Sequence, residues 1–120
     1  MTTILIVDDE YLIAEILSFA LEDEGFLTVT AGNGQKALSI LDRERPGLII
    51  TDYMMPGMNG IEFALAVRAN PSFANIPIVL MSGAQAHLGV SRPDLFARVY
   101  EKPFEIEAMV NSVLQLLKEP

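Results

Sequence analysis

The sequence predicts an α/β fold in which five parallel strands alternate with helices, (βα)5, as a doubly wound sheet within one domain spanning residues 1–120. Short apolar or β-branched runs recur along the chain, and turn signals follow them. Segments with apolar residues at helical spacing separate these runs. The chain has 120 residues, of which 51% are hydrophobic, so it is long enough to bury a single core.

Five runs predict the strands. Most are apolar throughout, a pattern typical of strands that are buried on both faces of a parallel sheet. The predicted strands are residues 4–7, 27–30, 48–52, 76–81 and 96–100.

The helices are predicted from apolar residues three and four positions apart. Asn33 is a candidate cap for the second helix, and Glu105 and Glu107 suit the positive N-terminal end of the last one. The fourth segment is the least regular, because Gly89 and Pro93 interrupt it. The predicted helices run from residue 13 to near Gly25, from Asn33 to before Pro46, from Gly60 to near Asn70, over 84–88, and over 106–117.

Acidic residues outnumber basic ones by 16 to 8, giving a net charge of −8. This balance argues against nucleic acid or an anionic membrane as a direct partner, since both require cationic surface. The chain has no cysteine, which excludes disulfides and thiolate metal sites. No apolar run is long enough to span a membrane and no signal peptide is evident, so a cytoplasmic location is expected.

Polar side chains stand at the ends of the predicted strands. Asp8 and Asp9 follow the first strand, Asp52 ends the third, Ser82 follows the fourth, and Lys102 comes just after the fifth. The carboxyl ends of parallel strands share one edge of the sheet, where open α/β sheets bind ligands. We therefore expect three carboxylates, a hydroxyl and an amine to converge there.

Three clustered carboxylates are costly without a cation. Two like charges about 4 Å apart repel by roughly 4 kcal/mol at an effective dielectric constant of 20. Lys102 offsets part of this repulsion, and a divalent ion would offset more. An all-oxygen site without cysteine suits Mg²⁺ better than Zn²⁺. The residues thus predict a Mg²⁺-assisted phosphoryl site with an aspartate as the acceptor.

Four motifs give the chain a resemblance to a known family. They are VDDE at residues 7–10, TDYMMPGMNG at 51–60, LMSG at 80–83 and EKPF at 101–104. The chain resembles the receiver domain of two-component response regulators over nearly its whole length. The resemblance implies a flavodoxin-like sheet with strand order 2-1-3-4-5, and a monomer or weak dimer in solution.

The resemblance also implies a role for each acidic site residue. Asp52 is expected to accept a phosphoryl group from the phosphohistidine of a sensor histidine kinase or a histidine phosphotransfer protein. Mg²⁺ is expected to bind Asp9 directly, Asp8 mainly through water, and Asp52 itself. The backbone carbonyl of Met54 is the remaining expected ligand. The chain would then promote only its own phosphorylation and dephosphorylation, and would not be an enzyme with turnover.

Ser82 and Lys102 are expected to contact the phosphoryl oxygens, and the Lys102–Pro103 peptide is expected to be cis. The resemblance further implies a switch, in which Ser82 moves toward the phosphoryl group and Tyr100 turns into the vacated space. The surface of the fourth helix, fifth strand and last helix would then change its preference for a downstream partner, which the sequence does not name.

Two other functions are alternatives to this one. A small Mg²⁺-dependent phosphatase that forms an aspartyl-phosphate has a similar sheet edge, but such enzymes carry two acids two residues apart after the first strand. Here Asp8 and Asp9 are adjacent. A pseudo-receiver that only binds proteins usually lacks the acceptor, the metal acids or the lysine, and all are present. His87 is interpreted as a surface residue, and Met1 as favouring a natural N-terminus. Three organisations stay open from the sequence: a free single-domain regulator, a phosphate shuttle, or a receiver cut from a larger regulator or hybrid kinase.

Overall fold

A computed structural model describes residues 2–83 and 91–118. Five strands form one sheet in the order β2-β1-β3-β4-β5, and every neighbouring pair is parallel. The predicted fold class and strand order are therefore confirmed. The strands are β1 (Thr3–Val7), β2 (Leu27–Ala31), β3 (Leu48–Asp52), β4 (Ile78–Ser82) and β5 (Arg98–Glu101).

Four α-helices and one short 3₁₀ helix lie in the described part of the chain. The predicted helix over 84–88 and His87 fall outside the described residues. The helices are α1 (Tyr11–Asp23), α2 (Gly34–Glu44), α3 (Gly60–Ala69), the 3₁₀ helix Pro71–Phe73 and α4 (Ile106–Lys118). None of these described helices is long and apolar enough to cross a membrane.

The starts of β4 and β5 lie two residues later than predicted, and the other strand boundaries agree with the prediction to within one residue. β4 begins at Ile78, two residues later than predicted, because Pro77 has no N–H group to donate to a neighbouring strand. β5 begins at Arg98 because the two residues before Ala97 are used in a turn. There the main-chain N–H groups of Leu95 and Phe96 both donate to the carbonyl of Arg92, at 3.0 and 3.2 Å.

Apolar side chains on both faces of the sheet form two buried clusters. Leu5 and Val7 of β1 face α2 and α3, whereas Ile4 and Ile6 face α1 and α4. This alternation explains why the strands read as continuous apolar runs in the sequence. The sheet is covered on both sides, so its carboxyl edge is left as the place where polar side chains can gather.

Asparagine side chains fix the starts of two helices. The predicted cap is confirmed, since Asn33 Oδ1 accepts the N–H of Lys36 at 2.8 Å. α3 begins with a reciprocal pair in which Asn59 accepts from the N–H of Glu62 and Glu62 accepts from the N–H of Asn59. This second cap sets where the loop after Asp52 ends.

Candidate functional site

The carboxyl edge of the sheet brings Asp8, Asp52, Ser82 and Lys102 together, as the strand pattern predicted. Lys102 Nζ lies 3.2 Å from Asp52 Oδ1 and 3.8 Å from Asp8 Oδ2. Asp8, Asp52 and Ser82 expose 3%, 4% and 0% of their surface. The two buried acids therefore lie beside one ammonium, and the buried Ser82 is joined to Lys102 through the backbone.

Asp52 is held by the backbone that follows it. Its Oδ1 accepts the N–H of Tyr53 at 2.9 Å, and the carbonyl of Tyr53 accepts the N–H of Gly60 at 2.8 Å. A Cβ at Gly60 would lie 2.6 Å from the carbonyl oxygen of Asp52. Only glycine allows the start of α3 to approach the end of β3 so closely. The loop between them is thereby fixed beside the Asp52 carboxylate.

Asp8 and Ser82 each carry a buried polar atom without a hydrogen bond. Asp8 Oδ1 accepts the N–H of Glu10 at 2.8 Å, but Asp8 Oδ2 receives none, and neither does Ser82 Oγ. Lys102 Nζ is 3.8 Å from Asp8 Oδ2, which is an electrostatic contact and too long for a hydrogen bond. Unpaired buried polar atoms are costly, so a cation and an anionic oxygen at this edge would relieve them.

Burial is the main cause of the shifted pKa values of Asp8 and Asp52. It raises the pKa of Asp8 from an ordinary 3.8 to about 6; the charge of Asp52 adds to the rise and the N–H of Glu10 opposes it. Burial also raises the pKa of Asp52, with Lys102 opposing and Asp9 adding to the shift. The charged forms of both carboxylates would therefore be stabilised by additional positive charge.

Burial lowers the pKa of Lys102, but Asp8 and Asp52 raise it and the net shift is upward. Its ammonium form is thus retained at neutral pH, yet this single ammonium does not bring the pKa values of the two buried acids back to ordinary. A second cation would be stabilised at the same edge.

The compact carboxylate group contains a residue that the sequence analysis did not single out. Oxygens of Asp8, Glu10 and Asp52 all lie within 4.8 Å of one another, and Glu10 Oε1 is 3.3 Å from Lys102 Nζ. Glu10 is the last letter of VDDE, so the signal was present in the motif. An all-oxygen group of this kind fits Mg²⁺.

Asp9 and Met54 lie at the mouth of the site and are exposed. Both line a cleft of about 370 Å³, together with Glu10, Asp52, Gly83 and Lys102. The carboxylate of Asp9 is close enough to influence the pKa of Asp52, although it is not one of the three compact acids. Asp9 and Met54 are therefore placed beside the predicted metal site, on its solvent side.

Lys102 lies in the loop that directly follows β5. The main-chain N–H of Lys102 donates to the carbonyl of Ser82 at 2.7 Å, which extends the contact between β4 and β5. The Lys102–Pro103 peptide is cis, as the resemblance implied. Lys102 and Ser82 thus enter the site from adjacent, directly hydrogen-bonded backbone.

Tyr100 lies on the other face of the sheet from Ser82. Met81 pairs with Tyr100 and Ser82 pairs with Glu101, and side chains alternate along each strand. Tyr100 packs with Met81 and Phe104 in the cluster under α1 and α4, whereas its neighbour Val99 packs in the opposite cluster. The expected movement of Tyr100 into space left by Ser82 does not fit this arrangement, and the switch stays a prediction.

A sequence model of the response regulator receiver domain matches residues 4–114. The chain belongs to the response regulator receiver family. This receiver domain is 36% identical over 117 residues to the DNA-binding response regulator MtrA of Mycolicibacterium smegmatis. The match covers 93% of this chain and 50% of MtrA, so the chain spans about half the length of this curated relative.

Solved receiver structures are similar to this one throughout. The chemotaxis response regulator CheY4 of Vibrio cholerae matches with a TM-score of 0.86 and 29% identity, covering 96% of this chain and 98% of CheY4. The receiver domain of a histidine kinase from Syntrophus aciditrophicus matches with a TM-score of 0.88 and 31% identity, covering 98% and 91%. The same fold therefore occurs in proteins of quite different organisation.

Proposed function

We propose that this receiver domain is the phosphoacceptor of a two-component phosphorelay and that Asp52 carries the phosphoryl group. The observation that supports this most directly is the 3.2 Å contact between Lys102 Nζ and a nearly buried Asp52 carboxylate that borders an open cleft. The carboxylate is accessible from one side and held by an ammonium on the other. Family membership supports the same role.

The proposed reaction is a displacement at phosphorus. An oxygen of Asp52 attacks the phosphoryl group of a donor phosphohistidine, and a P–O bond forms as the P–N bond breaks. The electron pair of the broken bond returns to the imidazole nitrogen, which takes up a proton. Lys102 and the unpaired hydroxyl of Ser82 neutralise and hydrogen-bond the transferred oxygens.

Asp8, Asp9 and Asp52, with the carbonyl of Met54, are proposed to hold Mg²⁺. The unpaired Oδ2 of buried Asp8 is the observation that fits a cation here. Bound Mg²⁺ supplies positive charge to the phosphoryl oxygens during transfer. The chain's own residues orient the acceptor carboxylate of Asp52 and exclude water from one side of it.

The proposed donor is a sensor histidine kinase or a histidine phosphotransfer protein. α1 begins three residues after Asp8 and exposes three large apolar side chains, since Leu12, Ile16 and Phe19 are 70%, 51% and 61% exposed. Exposed apolar groups beside a reaction site are typical of a protein-docking surface. An adjoining cleft of about 390 Å³ is lined by Glu10, Ile13, Ile16, Lys102, Pro103, Phe104 and Ile106.

The phosphorylation test uses Mg²⁺ and acetyl phosphate, with intact-mass measurement of the product. Wild-type protein and the matched surface control Asp42→Asn are expected to gain one acid-labile phosphoryl group, and Asp52→Asn none. An equal mass gain in Asp52→Asn would overturn the assignment of the acceptor. Continuous hydrolysis of an added phosphomonoester would support the phosphatase function instead.

The docking test compares two donors. Ile16→Glu is expected to slow transfer from a phosphorylated histidine phosphotransfer protein and to leave the rate with acetyl phosphate unchanged, because only the protein donor contacts α1. Equal rates with the protein donor in wild type and Ile16→Glu would refute this docking surface. The cytoplasmic location and the monomeric or weakly dimeric state stay predictions from the sequence.

A further inference from the structure

Three carboxylates compete for the ammonium of Lys102. Its Nζ lies 3.2 Å from Asp52, 3.3 Å from Glu10 and 3.8 Å from Asp8. Asp52 and Asp8 are buried and belong to the proposed acceptor and metal site. Glu10 is different, because 60% of its side chain is exposed and, although its carboxylate lies in the compact acidic group, it is not one of the proposed Mg²⁺ ligands.

Glu10 occupies the N-cap position of α1, but its side chain makes no capping hydrogen bond. A glutamate carboxylate near a helix N-terminus would usually be stabilised by the free N–H groups there. Here its Oε1 instead accepts a hydrogen bond from Lys102, a residue 92 positions away in the chain. The structure thus uses this carboxylate for a contact across the site and not for local helix stability.

We propose that Glu10 is a positioning residue that holds Lys102 in its unphosphorylated placement and so slows phosphoryl transfer to Asp52. The inference rests on the proposed function. The phosphoryl group on Asp52 carries about −1.5 to −2 charge, on oxygens that Lys102 must reach. Lys102 has to release Glu10, or share its hydrogens with it, before it can contact those oxygens fully.

The size of the effect follows from the exposure of the pair. Side-chain exposures of 21% for Lys102 and 60% for Glu10 describe a contact that water partly screens. Partly exposed ion pairs are weak, so removing the Glu10 charge is expected to raise the phosphorylation rate by roughly two- to fivefold. Glu10 therefore adjusts the rate of a reaction that the buried residues make possible.

The experiment measures phosphorylation rates with acetyl phosphate at a Mg²⁺ concentration that saturates the wild-type protein. Glu10→Gln is expected to be faster than wild type, and Glu15→Gln, which removes the same charge from the same helix, is expected to match wild type. Glu10→Asp is expected to behave like Glu10→Gln, because the shorter side chain withdraws the carboxylate from Lys102. A Glu10→Asp rate equal to wild type would show simple repulsion of the donor and would overturn the inference.

A double-mutant cycle with Lys102→Met tests whether the effect passes through the lysine. The increase from Glu10→Gln is expected to vanish when Lys102 is absent. A persistent increase, or a slower reaction that higher Mg²⁺ restores, would refute the positioning role; the latter would make Glu10 a metal ligand. Absence of any phosphorylation in wild type would instead overturn the proposed function itself, so the two failures are distinct.

Discussion

The side-chain hydroxyl groups of Tyr100 and Ser112 are hydrogen-bonded to each other and join β5 to α4. The Tyr100 hydroxyl also donates to the carbonyl of Ala108 at 3.1 Å. Ser112 is 4% exposed, so it depends on this partner to satisfy its hydroxyl. The contact makes Tyr100 part of the attachment of the last helix to the sheet.

Tyr100→Phe is expected to lower the free energy of unfolding by about 1 kcal/mol, because it leaves the buried Ser112 hydroxyl unpaired. The phosphorylation rate with acetyl phosphate should not change. Urea unfolding measures the first effect, and Tyr11→Phe, at a site 73% exposed, is the control. A changed phosphorylation rate with unchanged stability would favour the switch role that the resemblance implied.

Asp8 gives the stability of the protein a definite pH dependence in the absence of divalent ions. Its pKa in the folded state is about 6, against an ordinary 3.8. Between these values the folded state binds more protons than the unfolded state, so the free energy of unfolding falls as pH rises through this window. The cost of the buried charge, present in full above the window, is about 3 kcal/mol.

Asp8→Asn should remove this cost, since the amide oxygen can still accept the N–H of Glu10. We expect the variant to be more stable than wild type at neutral pH with EDTA, and the difference to disappear near pH 4. Urea unfolding across pH checks this, with Asp42→Asn as the exposed control. A constant difference at all pH values would contradict the assigned pKa shift.

The approach of Gly60 to Asp52 predicts a strong effect of a single methyl group. Gly60→Ala would place a Cβ 2.6 Å from the Asp52 carbonyl oxygen and 2.9 Å from a Leu80 methyl carbon. We expect a loss of about 1–3 kcal/mol in the free energy of unfolding, together with slower phosphorylation. Gly32→Ala is the control, since a Cβ at Gly32 would have no neighbouring atom within 4 Å. Equal stability of the two variants would contradict the predicted clash.

Arg68 ties α3 to the segment that leads into β5. Its guanidinium donates to the carbonyls of Leu95 at 3.0 Å and Phe73 at 3.4 Å. Arg68→Met keeps the apolar stem but removes the donors, and should cost about 1–3 kcal/mol. Hydrogen exchange at Leu95 and Phe96 should become faster, whereas Arg43→Met should leave it unchanged. Unaltered exchange in Arg68→Met would show that the two bonds do not hold this segment.

The sequence was sufficient for the fold because the signals involved are local. Each strand is a short apolar run, and strands that alternate with helices form parallel sheets by right-handed crossovers. The first residues of β4 and β5 were predicted two positions too early. These starts depend on the missing N–H group of Pro77 and on the turn at Arg92, which are matters of individual backbone hydrogen bonds. Periodicity does not record such bonds.

The chain by itself determined that Asp8, Asp52, Ser82 and Lys102 share one edge, because parallel strands align their carboxyl ends. Only the tertiary structure decided which side chains meet there. The contact between Glu10 and Lys102 and the direction of Tyr100 depend on how α1, α4 and the sheet pack. Both relationships join residues that are distant in the sequence. The sequence alone does not reveal them because tertiary packing, and not the spacing of residues along the chain, brings those atoms together.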